Sequence, residues 1–144
     1  MAVTAKMYGN ALLKALNKEV DWDTDTINVM LCTSSYTPDQ DANIYKSSVT
    51  NEVTGTGYTA GGATLSGKTI TYAGATNTIT LDADDVTWSS SSITARYAVI
   101  YDATGTDSTS ALLGYVDFGE DQTSLAGNFT ITWDALGIFT VTAG

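Results

Sequence analysis

From Asp25 onward the residue pattern of this chain has a period of two, and the helical period of 3.6 residues never returns after the first turns of the sequence. That single feature rules out strand–helix–strand crossovers, and with them a parallel sheet. Ile27, Val29 and Leu31 alternate with Asn28, Met30 and Cys32. Lys68 to Tyr72 and Asn77 to Leu81 alternate cleanly on either side of Ala73-Gly74-Ala75-Thr76, which is a hairpin signal. Ala95 to Tyr101 is apolar at nearly every position and reads as a central strand. Leu113 to Phe118, Phe129 to Trp133 and Ile138 to Val141 complete a set of about seven strands. The 25 threonines fall mainly on the polar phase of these runs, where a β-branched polar side chain suits a pleated surface with one wet face. The expected fold is mainly β: an antiparallel, jelly-roll-like β-sandwich occupying residues 1–144 as a single domain.

One helix is expected, over 5–18. Tyr8, Ala11, Leu12, Ala15 and Leu16 form an apolar stripe, with Lys6, Asn10, Lys14 and Asn17 on the other side of the wheel. Lys14 and Lys18 interrupt the apolar character of this stretch and no cleavage pattern follows, so it reads as mature protein and not as a signal peptide. Residues 34–67 carry little pattern, hold the only proline and several glycines, and are expected to form a long loop or extended arm. Tyr36, Pro38, Tyr45 and Tyr58 stand in this arm as candidate partner-contact residues, the alternative being that the tyrosines fasten the arm to its own sandwich. On the first reading, deleting 39–60 would spare folding and weaken assembly.

The sequence offers no constellation for catalysis. It contains no histidine, which removes the commonest general base and the commonest metal ligand together. Asp21, Asp23 and Asp25 resemble the start of a calcium loop, but Thr26 and Cys32 stand where that loop requires glycine and glutamate. A polar corner between helix and strand is the better reading. Asp82-Ala83-Asp84-Asp85 reads as a hydrated turn, because sequence neighbours on a turn do not aim two carboxylates at one bond. Ser89 to Ser92 reads as a loop with no base to activate a hydroxyl, and the glycines at 55, 57, 61 and 62 read as turns. Cys32 stands alone in an apolar run and is expected to be a buried, inert thiol. No enzyme activity, cofactor or metal is expected.

Sixteen acidic and six basic side chains give a net charge of −10. Such a field repels phosphate backbones and anionic lipid, so neither nucleic acid nor membrane is an expected partner.

The segments Asn17 to Trp22, Ile27 to Pro38, Asp84 to Trp88, Ala95 to Tyr101 and Asn128 to Asp134 resemble, in that order, a family of small structural proteins of tailed bacteriophages. The resemblance runs from the first helix to the final strand. It implies a capsid decoration (cement) protein, commonly a homotrimer, that binds the major capsid protein and copies of itself on the outside of the assembled head. It also implies localisation to the virion, assembled in the host cytoplasm. A tail-associated role (tube, collar or fibre) or a virion carbohydrate-binding module are the alternatives it leaves open.

Overall fold

The structure, a computed structural model, describes residues 2–144. Its elements in chain order are β1 (Thr4–Met7), α1 (Ala11–Leu16), β2 (Ile27–Cys32), a 3-10 turn (Lys46–Ser48), β3 (Ala63–Thr64), β4 (Thr69–Ala73), β5 (Thr78–Asp82), β6 (Val86–Asp102), β7 (Leu112–Ile131) and β8 (Phe139–Thr142). They form a five-stranded sheet in the order β1-β7-β6-β2-β3 and a three-stranded sheet in the order β4-β5-β8, with every pairing antiparallel. The two sheets pack together, so the expected sandwich with one short helix is what the chain forms.

The five-stranded sheet is built on the β6–β7 hairpin, whose partners run from Tyr101 opposite Leu112 to Val86 opposite Ile131. The alternating phases of β2 and β6 feed two separate cores. Val29 and Leu31 point with Ala98 and Ile100 into the space between the sheets, where Trp22, Val53, Trp88 and Phe139 also lie. Met30 and Cys32 point with Val99 and Tyr101 to the other face, beneath Tyr8, Tyr36 and Leu112. A strand covered on both faces must be apolar at consecutive positions, which is why the period-two signal fades along Ala95 to Tyr101.

Two expectations are corrected. The helix does not begin at residue 5: Thr4 to Met7 pair with Gly114 to Asp117 as β1, leaving one six-residue helix at Ala11–Leu16. Of its stripe only Tyr8 and Ala11 are buried, while Leu12 and Leu16 are exposed, so edge pairing to β7 overrides the helical periodicity. Ser89 to Ser92 is not a loop but part of the first half of β6. Ser90 takes φ 50° at a register shift, and the turned-in Ser91 hydroxyl bonds Ser124 Oγ at 2.7 Å and the Gly127 carbonyl at 3.0 Å. A polar run survives inside the ladder because the bulge finds each buried hydroxyl a partner.

Residues 34–67 are mostly loop, and this loop is fastened to its own sandwich. Thr33 N–H reaches the Asn51 carbonyl, Val53 N–H the Leu31 carbonyl and Ser92 N–H the Thr56 carbonyl. The arm is therefore a strap that closes the exposed edges of β2 and β6. Val53 and Leu65 are core residues, and burying side chains of this kind contributes roughly 1.5–3 kcal/mol each. Gly62, at φ 82°, lies so close to β2 that an added Cβ would fall 1.9 Å from the Val29 carbonyl oxygen.

Candidate interaction surface

The strap tyrosines serve the fold first. Tyr36 is buried; its hydroxyl meets that of Tyr8 at 2.8 Å and donates to Asn43 Oδ1 at 2.9 Å. Burial pushes its phenol up to about 12. Tyr58 is half-buried; its hydroxyl accepts from Leu31 N–H at 2.9 Å and donates to Glu52 Oε1 at 2.8 Å, and burial raises its phenol strongly. Tyr45 donates to Glu19 Oε2 at 3.0 Å and accepts from Lys14, which ties the strap to α1. Pro38 is half-buried. The structure thus places Tyr36 in the core on the other face of the five-stranded sheet, packs Tyr45 and Tyr58 partly buried against the core between the sheets with Tyr58 beside Trp88, and leaves Pro38 half-buried.

The acidic groups are turn-formers. Asp21 Oδ1 accepts from the backbone of Asp23 at 3.0 Å and of Thr24 at 3.2 Å, which holds its carboxyl below the usual range. The Lys68 ammonium closes the same corner by donating to the carbonyls of Trp22 and Asp25. Asp84 accepts from the Ser66 hydroxyl, and Asp85 from the Trp133 backbone at 2.9 Å. Among the described residues, no group of three or more His, Cys, Asp or Glu side chains is placed to hold a metal ion. Burial raises the Cys32 thiol to about 12, consistent with an inert core residue. Among the described residues, no helix is long and apolar enough to cross a membrane.

One titratable group stands out. Asp102 closes β6 with only 4% of its surface exposed, and its carboxyl is pushed up to about 6, first by burial and then by the neighbouring Asp25 carboxylate, against the opposing charge of Lys68.

What remains for a partner is surface. An open groove of about 800 Å³ runs between β7 and the approach to β8, with Val3, Val116, Phe118 and Ile138 among its walls. Leu12, Leu13 and Leu16 project from α1. The third feature is the three-stranded sheet, which carries Ile70 (49% exposed) and Tyr72 (62% exposed) on its outermost strand. The alternation in the sequence marks β4 and β5 as a hairpin but not as a surface. The signal available was the absence of any charged residue between Thr69 and Leu81 and from Ala135 to Gly144, in a chain with 22 charged side chains elsewhere or at the boundaries. All the tryptophans are engaged internally: Trp22 and Trp88 are buried, and Trp133 donates its ring N–H to the Asp84 carbonyl. Tyr72 is the most exposed aromatic ring among the described residues.

No protein-family model, no curated protein and no solved structure matches the chain.

Proposed function

We propose that this chain is a structural protein of a tailed-bacteriophage virion, acting as a decoration (cement) protein that contacts the major capsid protein and copies of itself on the outside of the assembled head. The observation that carries the reading is the ordered set of segments that resembles the phage family, from Asn17 to Asp134. Those segments build the framework here: the Trp22 corner, β2 with Tyr36, the Asp84–Trp88 corner, and the paired lengths of β6 and β7. A likeness concentrated on the framework concerns the whole fold and not one local motif.

The physical character of the molecule is compatible with this role. Its side chains of catalytic type are occupied in turns and cores, and what it offers a partner is area. A strap closed by buried tyrosine hydroxyls makes a rigid module, and rigidity suits a clamp because little conformational freedom is lost on binding.

The test is the composition of particles purified from the phage or prophage that encodes the chain. Quantitative mass spectrometry should find it in hundreds of copies per virion, and cryo-electron microscopy should place its density on the head exterior. A few copies, or density stacked along the tail, would transfer the chain to the tail-associated reading. Absence from the particle would overturn both.

A further inference from the structure

We infer that the outer edge of β4 is a self-association site, at which two copies of this chain pair their β4 strands antiparallel across a two-fold axis. The two three-stranded sheets then become one continuous six-stranded sheet. The inference stands on the geometry of the sheet and not on the virion reading.

The phase of the ladder comes first. Ala143 N–H donates to the Asn77 carbonyl at 2.9 Å, so Asn77, Ile79 and Leu81 turn their backbone groups toward β8. Antiparallel ladders alternate, so Thr78, Thr80 and Asp82 bond the other way, to Ala73, Thr71 and Thr69. The N–H and C=O groups of Ile70 and Tyr72 therefore point away from the sheet, where the chain supplies no further strand. Within Thr69–Ala73 there is no proline, no lysine and no bulge, and only the Thr69 carbonyl at its start is met by another segment, through the Trp22 ring N–H at 2.9 Å.

The side chains add to the backbone. Opposite residues in an antiparallel sheet share a face, so Ile70, Leu81 and Phe139 lie together, as do Tyr72, Ile79 and Val141. Phe139 is buried against Trp22, whereas Tyr72 and Ile70 overhang the core at the free end of that same apolar face. A two-fold axis through Thr71 sets Ile70 of each copy opposite Tyr72 of the other. It matches the four outward backbone groups of each strand and covers both exposed side chains as cross-strand pairs.

Charge selects the occupant. Two chains of net charge −10 repel each other wherever their acidic surfaces meet. In β4, β5 and β8 the only charged side chain is Asp82, at the far end of β5. This sheet is the face on which a second copy can approach with the least repulsion, and a basic partner would gain nothing there. The two-fold arrangement replaces the trimer that the phage resemblance implies. Closed two-fold pairs are also the commonest form of self-association.

Sedimentation velocity of the intact chain should show reversible dimers at about 100 µM, strengthened when salt shortens the reach of repulsion below about 8 Å. The double variant Ile70→Glu with Tyr72→Glu should stay monomeric. Ile70→Lys with Tyr72→Glu, which sets opposite charges across the axis, should associate at least about tenfold more tightly than it. Because non-hydrogen-bonded pairs bring Cα atoms to about 4.5 Å, Thr71→Cys should form an intermolecular disulfide under mild oxidation. It should do so about tenfold faster than Ala75→Cys in the adjacent turn, a readout that needs no charge on the sheet. A wild-type chain that remains monomeric, a trimer, a Glu double variant that associates like wild type, or equal cross-linking of the two cysteine variants would each overturn the pairing.

Discussion

The two sheets of this sandwich are finished to different degrees. The five-stranded sheet is covered on both faces and shielded along much of its edge: one core lies between the sheets, another lies under Tyr36, and the strap 34–67 bonds back to β2 and β6. The three-stranded sheet is covered only where Leu81 and Phe139 meet the core, and its β4 edge and the Ile70–Tyr72 end of its apolar face are open. Charge follows the same division, with the acidic surplus on the finished part and almost none on the open one. Such a molecule is one rigid half carrying one adhesive half, and the two should respond to mutation in opposite ways.

The largest expected effect is on the strap. Deleting 39–60 removes Val53 from the core together with the Tyr58 and Glu52 contacts to β2, and is expected to abolish cooperative folding as read by circular dichroism and thermal melting. Retention of a native-like melt would return the segment to the status of a free arm. Gly62→Ala comes next. Its Cβ would collide with the Val29 carbonyl at a φ of 82°, so a loss of about 3 kcal/mol or more is expected in denaturant titrations. Gly105→Ala, with no atom within 4 Å of the added Cβ, should cost about 1 kcal/mol from its positive φ alone.

Removing one hydroxyl should give a smaller loss. Tyr58→Phe leaves the Leu31 N–H without its acceptor and Glu52 without its donor, at a cost of about 1–3 kcal/mol. Asp102 supplies a pH signature of the finished sheet. Its folded carboxyl titrates near 6, above the ordinary value of 3.8, so the folded chain holds a proton that the unfolded chain has already released. Stability from this group is present below about pH 4 and declines as pH rises through 6. Asp102→Asn should raise the unfolding free energy at pH 7 by up to about 3 kcal/mol, read as a higher melting temperature, and change little at pH 4. An equal gain at both pH values would remove the carboxyl's charge as the cause. Smallest of all, Tyr72→Ser on the open sheet should alter monomer stability by about 0.5 kcal/mol or less, as for surface positions generally.

Legibility in the sequence divides along the same line. The β4–β5 hairpin is readable because its alternation is local and its turn short. The double coverage of β2 and β6 is hinted at by consecutive apolar residues. The continuity of β6 and β7 is hidden, because Ser89 to Ser92 and Gly119 to Ser124 look like loops until the bulges that accommodate them are seen. The strap is hidden for another reason. Its attachment depends on hydroxyls that reach partners far away in sequence, such as Tyr36 to Tyr8 and Tyr58 to Leu31, and a tyrosine that contacts a partner is written with the same letter as one that contacts its own chain. The apolar stripe suggests a longer helix than the chain forms because pairing of Thr4 to Met7 with β7 is a long-range event that outcompetes a weak stripe. The open surface was legible only as an absence, the charge-free lengths 69–81 and 135–144.

The contrast between the two halves is tested most directly by hydrogen–deuterium exchange of the wild-type chain at low and high protein concentration. The backbone amides of Ile70 and Tyr72 should exchange freely in the dilute sample and become protected in the concentrated one, while 39–60 exchanges equally slowly in both. Concentration-dependent protection around Pro38 and Tyr45, with Ile70 and Tyr72 unchanged, would contradict the account and place association on the strap.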